Sequence, residues 1–204
     1  RIRCRMVSVF DTRPCSLGEG PLWHPLRGEL FWFDINAHQL LSKTATWQFD
    51  EYVSAAGWIS HDELLIASES QLFRFHLNDH KQTKLCELEA NNPITRSNDG
   101  RCDPRGGFWI GTMGKKAEAK AGAIYRYYRG DLVHLFPEIT IPNAICFAPD
   151  GHTAYFTDTP LQQILAVDLD ADGWPCSAPR VAVDLTGTAE NPDGAVVDAQ
   201  GNIW

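Results

Sequence analysis

The sequence lacks any surplus of positive charge: 18 lysines and arginines stand against 26 aspartates and glutamates, a net charge of -8 over 204 residues. A nucleic-acid footprint needs a basic stripe, so that class of partner is excluded. No apolar run is long enough to span a bilayer and no signal peptide is visible, so no membrane partner is expected. The cysteines Cys4, Cys15, Cys86, Cys102, Cys146 and Cys176 are widely spaced and include no CxxC pair. Buried free thiols in a reducing, cytoplasmic compartment are therefore expected in preference to a disulfide framework.

What the sequence has in quantity is a repeated grammar. The stretch Arg96 to Thr112 runs from a polar residue through a short strand and a Pro/Gly turn to an aromatic strand. The same pattern aligns Glu19 with Pro25, Gly28 and Trp32, Asn98 with Pro104, Gly106 and Trp109, and Asn143 with Pro149, Gly151 and Tyr155. A fourth copy aligns Asp193 with Gly201 and Trp204. Repeats at intervals of roughly 40 to 50 residues, each with several short strands, predict a β-propeller, because a single such sheet cannot bury both faces without neighbours. Residues 1–204 read as one all-β domain. Arg1 is not an initiator methionine and Trp204 falls in mid-strand, so the sequence reads as cut at both ends. The intact protein is expected to be longer by one or two blades, roughly 80 to 100 residues.

Along the chain, Met6–Phe10 alternates as an edge or closing strand would. Leu30–Ile35 is an apolar run without alternation, which fits a strand covered on both faces. In the second repeat Ala55 or Ala56 takes the place of Glu19, so that blade is expected to offer no ligand. Gly114 to Gly122 is a small-residue, charged insertion that reads either as a lid or as a solvated surface loop. The aspartates around Asp170 and Asp172 lack EF-hand spacing and read as a plain turn.

In a propeller, equivalent positions of successive blades meet around a central channel, so Glu19, Asn98, Asn143 and Asp193 form one predicted ring. His24, Asp103, Asp150 and Asp198 lie some five residues further on, about 16 Å away at the other end, and read as turn formers. Asp34 and Asp158 return to the ring's end and read as strand-end caps. Oxygen-only ligands favour a hard divalent cation: calcium, magnesium or manganese, with zinc accessible through carboxylates.

Gly18-Glu19-Gly20-Pro21-Leu22-Trp23, Arg96-Ser97-Asn98-Asp99-Gly100, Gly111-Thr112-Met113, Pro142-Asn143-Ala144 and Pro192-Asp193-Gly194 together resemble the motifs of the regucalcin/gluconolactonase (senescence marker protein) family. The resemblance covers nearly all of the chain. It implies a six-bladed β-propeller, of which this chain holds four to five blades, with one divalent metal at the channel mouth and hydrolysis of sugar lactones to aldonates. By the same resemblance Glu19, Asn143 and Asp193 match metal ligands, Arg96 and Asn98 match substrate contacts, and Asp193 also matches the general base. Lys115-Lys116 stands where regucalcin-like members carry acidic residues, and Lys116 is assigned to the substrate side. Two other readings stay open: a non-catalytic calcium- or partner-binding propeller, and a metal-dependent esterase or phosphoesterase on the same scaffold.

Overall fold

The computed structural model describes residues 8–204. It is all-β apart from one 3-10 turn, and its strands form four sheets of four. The first holds β1 (Gly18–His24), β2 (Glu29–Asp34), β3 (Gln39–Ser42) and β4 (Thr46–Gln48). The second holds β5 (Val53–Trp58), β6 (Glu63–Ser68), β7 (Gln71–His76) and β8 (Gln82–Glu87). The third holds β9 (Thr95–Cys102), β10 (Phe108–Gly114), β11 (Gly122–Tyr128) and β12 (Asp131–Ile139). The fourth holds β13 (Pro142–Phe147), β14 (Thr153–Asp158), β15 (Gln163–Asp168) and β16 (Arg180–Asp184). Every sheet is an antiparallel meander in chain order, the blade of a propeller. Val196 and Trp204 exchange backbone hydrogen bonds of 3.0 and 2.8 Å, which begins a fifth.

Strand alternation explains why these sequences stack. Leu64 and Ile66 of β6 face the first blade and pack with Phe31 and Phe33, while Leu65 and Ala67 face the third and pack with Phe108 and Ile110. In the same way Trp109 of β10 turns to the fourth blade, where it meets Phe147 and Phe156. The middle strands between two blades therefore show no solvent-facing side: every residue of β10 is buried, and all of β6 except Glu63. This is the physical content of the unalternating apolar runs in the sequence.

The outer strands follow different rules. β12 is largely exposed and contains Pro137, which an edge strand tolerates because its N–H side faces water. β16 is likewise exposed. Neither β12 nor β16 was expected from the sequence. The strand expected over Met6–Phe10 lies at Met6 and Val7 outside the described residues, and Ser8–Phe10 forms no strand. Cys15, Cys86, Cys102, Cys146 and Cys176 are free, but only Cys146 is buried, which corrects the expectation of uniformly buried thiols. Among the described residues no helix is long and apolar enough to cross a membrane.

The innermost strand of each blade is broken by a bulge near its start. Pairing skips from Glu19 to Leu22 in β1, from Val53 to Ala55 in β5, from Ser97 to Gly100 in β9, and from Asn143 to Cys146 in β13. A bulge bends its strand and re-aims side chains, and all four lie at one end of the blades. Gly20 shows why this segment needs glycine: its φ is 57°, and a Cβ there would lie 2.2 Å from the carbonyl oxygen of Ser54.

Candidate active site

The bulged ends of β1, β9 and β13 converge on a cavity of about 650 Å³. Glu19, Asn98, Asn143 and Asp193 all line it, so the structure gathers the four predicted ring residues. Leu30, Trp32, Val196 and Trp204 supply an apolar wall. Two further polar residues line it, neither with a predicted role: Arg101, which donates to the carbonyls of Ile145 (3.0 Å) and Ala195 (3.2 Å), and Asp99, whose Oδ2 accepts from the amide of Ile145 (2.8 Å). The one available signal for Asp99 was its place beside Asn98 in the bulged segment.

Pairing refines the predicted alignment. Glu19 and Asn143 occupy the last paired position before their bulges, opposite Phe33 and Thr157. In β9 that level belongs to Ser97, opposite Thr112, and Asn98 lies one residue further, within the bulge. In the second blade the level of Glu19 falls to Val53, a correction to Ala55 or Ala56, and the residue within the bulge is Ser54. Ser54 Oγ lies 2.6 Å from the carbonyl oxygen of Asn98 and 2.8 Å from Ser97 Oγ, so this blade supports the backbone of a ring residue and adds no ligand.

Asn98 and Arg96 form a framework beneath the cavity. Arg96 is buried, is not a lining residue, and donates through Nη1 to Asn98 Oδ1 (2.9 Å) and to Ser97 O (2.8 Å). Asn98 Nδ2 donates to Pro142 O (2.9 Å) and Asn143 Oδ1 (3.1 Å). Both amide protons of Asn98 are thus committed to the neighbouring blade, and only its Oδ1 keeps a free lone pair. Ala144, next to Asn143, is buried at a φ of 54°, a left-handed conformation that a non-glycine residue holds only when its surroundings enforce it.

The electrostatics show what the cavity is short of. Burial, then the charges of Asp193 and Asp99, push the Glu19 carboxyl above the usual range. Burial likewise raises Asp99, with Asp193 a smaller contributor. Burial lowers the Arg96 guanidinium. Glu19 and Asp99 thus stay disfavoured as anions although Arg96 and Arg101 partly offset the like charge, and a cation would favour their ionised forms. Among the described residues no group of three or more His, Cys, Asp or Glu side chains is suited to hold a metal ion. The predicted donor set differs in kind, since its third member is the amide oxygen of Asn143, and its all-oxygen chemistry fits a hard divalent cation.

The remaining candidates divide clearly. Asp34 accepts from the amides of Ser16 (2.7 Å) and Leu17 (3.0 Å), and Asp158 from those of Thr140 (3.0 Å) and Ile141 (2.8 Å), so both cap strand entries. Asp150 and Asp198 accept from turn amides at the far end. Asp103 does so too, and also pairs with Arg126 at 2.6 Å, both side chains fully buried. His24 closes the turn through its carbonyl, which accepts from the amide of Gly28 (2.9 Å), and its fully buried side chain also places Nε2 2.9 Å from the carbonyl of Ser60 in the next blade. The 114–122 insertion leaves the ring end, where Gly114 pairs with Thr95. It is anchored by Lys115, whose ammonium pairs with Glu69 and donates to Pro93 O (3.0 Å), and by the amide of Lys120, which donates to Thr140 Oγ1 (3.0 Å). Lys116 is exposed and does not line the cavity.

The profile of the SMP-30/Gluconolactonase/LRE-like region matches residues 17–204. The chain is 42% identical over 196 residues to a Rhizobium meliloti (strain 1021) protein provisionally named a sugar lactone lactonase, covering 93% of this chain and 66% of that protein. It is 34% identical over 208 residues to L-arabinolactonase of Azospirillum brasilense, covering 96% and 68%. It superposes with a TM-score of 0.92, at 42% identity, on the crystal structure of a calcium-binding protein, regucalcin, from Agrobacterium tumefaciens str. C58, covering 95% and 68%. The chain thus spans about two thirds of the length of these relatives.

Proposed function

Because the chain belongs to the SMP-30/Gluconolactonase/LRE-like family, we propose that it contributes the active site of a cation-dependent hydrolase that opens sugar lactones to aldonates. One observation carries the reading: oxygen-bearing side chains from four distant stretches, Glu19, Asn98, Asn143 and Asp193, line a single cavity. The names of the relatives, which include lactonases, favour the same substrate class. We read the four blades as part of a six-bladed ring in a protein of the relatives' length, and the free cysteines as those of a cytoplasmic protein.

Glu19, Asn143 and Asp193 would hold a divalent cation, calcium or zinc before magnesium or manganese, which when bound supplies Lewis-acid polarisation of the lactone carbonyl. The chain's own residues do the rest. Asp193, exposed on the cavity wall, takes a proton from the attacking water as its oxygen bonds to the carbonyl carbon. It returns the proton to the ring oxygen when the C–O bond breaks, so the product is a hydroxy acid that ionises to the aldonate. Arg96 lends positive charge to the developing oxyanion from behind Asn98. Asn98, with both amide protons occupied, accepts a hydrogen bond from a substrate hydroxyl through Oδ1.

Acid release from glucono-1,5-lactone, followed with and without a chelator, tests the reading. Turnover that the chelator stops and added Ca2+ or Zn2+ restores is the expected result. Calcium binding without lactone turnover would replace the enzyme with a binding propeller. A preference for aryl esters or phosphoesters would move the activity to another hydrolase class.

A further inference from the structure

An asparagine can serve a cation only with its oxygen, and its amide has two nearly isosteric ends, so some neighbour must decide which end faces the cavity. Around Asn143 that decision is made by groups with a single hydrogen-bonding sense. Thr159 Oγ1 donates its one proton to the carbonyl of Pro192 (2.9 Å), which can only accept. Toward Asn143 the hydroxyl is therefore left as an acceptor, and Asn143 Nδ2 donates to it at 2.9 Å. On the other side Asn98 Nδ2, fixed as a donor by Pro142 O, donates to Asn143 Oδ1. Arg96, a donor with no acceptor capacity, fixes Asn98 in turn. The result is one directional chain of hydrogen bonds, Arg96 to Asn98 to Asn143 to Thr159 to Pro192, ending on the residue before Asp193.

The turn that carries Thr159 also grips the segment that delivers Asp193. Thr159–Leu161 is a single 3-10 turn anchored by its first amide to Ile141 O (3.0 Å). Gln162, left-handed at a φ of 56°, donates through Nε2 to the carbonyls of Thr188 (3.2 Å) and Glu190 (2.8 Å) and accepts at its own carbonyl from the amide of Leu185 (2.9 Å). Together with the Thr159 contact to Pro192, these bonds hold residues 185–192 against the fourth blade.

We propose that Thr159 is a positioning residue: its hydroxyl sets the orientation of the Asn143 amide and couples Asn143 to Asp193, so that two donors of the cation site arrive as one unit. The inference rests on the reading of Glu19, Asn143 and Asp193 as a cation site. Removing a neighbour that orients a metal ligand typically costs about 10- to 100-fold in affinity. Thr159→Val keeps the shape and deletes the hydroxyl, whereas Thr159→Ser keeps the hydroxyl. Calorimetric titration of the metal-free proteins with Ca2+ should show Thr159→Val weakened by about 10- to 100-fold and Thr159→Ser close to the parent. Affinity unchanged in Thr159→Val, or lost equally in Thr159→Ser, overturns the proposal. A second readout needs no cation: in asparagine-labelled, metal-free protein the Asn143 side-chain amide resonances should shift in Thr159→Val and return in Thr159→Ser, and unshifted resonances also overturn it. Should Thr159→Val not fold, Thr159→Ala takes its place in both measurements. If the parent binds no Ca2+ while the resonances respond as expected, the cation reading falls and the orienting role of Thr159 stands.

Discussion

At the turn end of the inner strands, Asp103 accepts from two backbone amides and from the guanidinium of Arg126, which is itself clasped between Tyr128 and Trp174 with its carbon 4.5 and 4.2 Å from the ring centroids. Asp198 there is held down at about 2, first by the Asn202 side chain and then by the Trp204 indole. At the ring end, Glu19 and Asp99 are pushed the other way, by burial and by each other's neighbourhood of like charge. Similar residue types, some five positions apart along one kind of strand, are thus neutralised at one end and left in mutual opposition at the other. Carboxylates that the fold satisfies act as structure. Those it gathers at the ring end remain disfavoured as anions even though Arg96 and Arg101 partly offset the like charge, and so favour a cationic ligand.

The largest effect separating the two ends is expected at Asp193. Asp193→Asn should lower kcat for lactone opening by about 10²- to 10⁴-fold, the usual contribution of a positioned general base, with the melting temperature unchanged. Near-parental turnover would remove Asp193 from the chemistry. The converse is Asp103→Ala, which strands the Arg126 charge in the core. Breaking a buried pair by removing one partner costs about 3 to 5 kcal/mol, which chemical denaturation would register. Ca2+ affinity should not move, and a parallel loss of affinity would show that the two ends are not independent. A smaller effect is expected at Arg96→Lys. Arg96 reaches both Asn98 Oδ1 and Ser97 O through Nη1 alone; lysine keeps the charge but not the planar group that aims that nitrogen, so kcat/KM should fall by roughly tenfold, about one hydrogen bond to a charged group. Cation affinity should fall less, and an equal fall would make Arg96 part of the cation framework alone.

The same comparison marks how far the sequence could be read. The middle strands were legible as apolar runs such as Leu30–Phe33, although that run is covered on one face only: Phe31 and Phe33 are wholly buried, while Leu30 and Trp32 are half-buried and wall the cavity. β12 and β16 were not, because an exposed outer strand needs no hydrophobic period. The ring was legible because Glu19, Asn98 and Asn143 keep one spacing to a proline. That spacing cannot show how a bulge distributes its extra residues, so it missed Ser54 and set Asn98 one residue off the level of Glu19. Nor could it show that Asp103 and Arg126 meet, since Arg126 belongs to a strand outside the repeat's signature.

The smallest effect tests the charge imbalance itself. The Glu19 carboxyl is raised in the folded chain, so around that value the native state binds more protons than the unfolded one. Stability from this group is therefore fully present below the unfolded glutamate value of about 4.3 and is lost as pH rises through the raised folded value. Glu19→Gln removes the ionisation without emptying the position. Metal-free Glu19→Gln should match the parent at low pH and melt roughly a few degrees higher at neutral pH. Ca2+ should stabilise the parent and leave Glu19→Gln unmoved, because the variant has lost both the repulsion and an anionic donor. If the two metal-free proteins follow the same melting curve against pH, Glu19 carries no uncompensated charge, and the contrast between the two ends of the strands loses its basis.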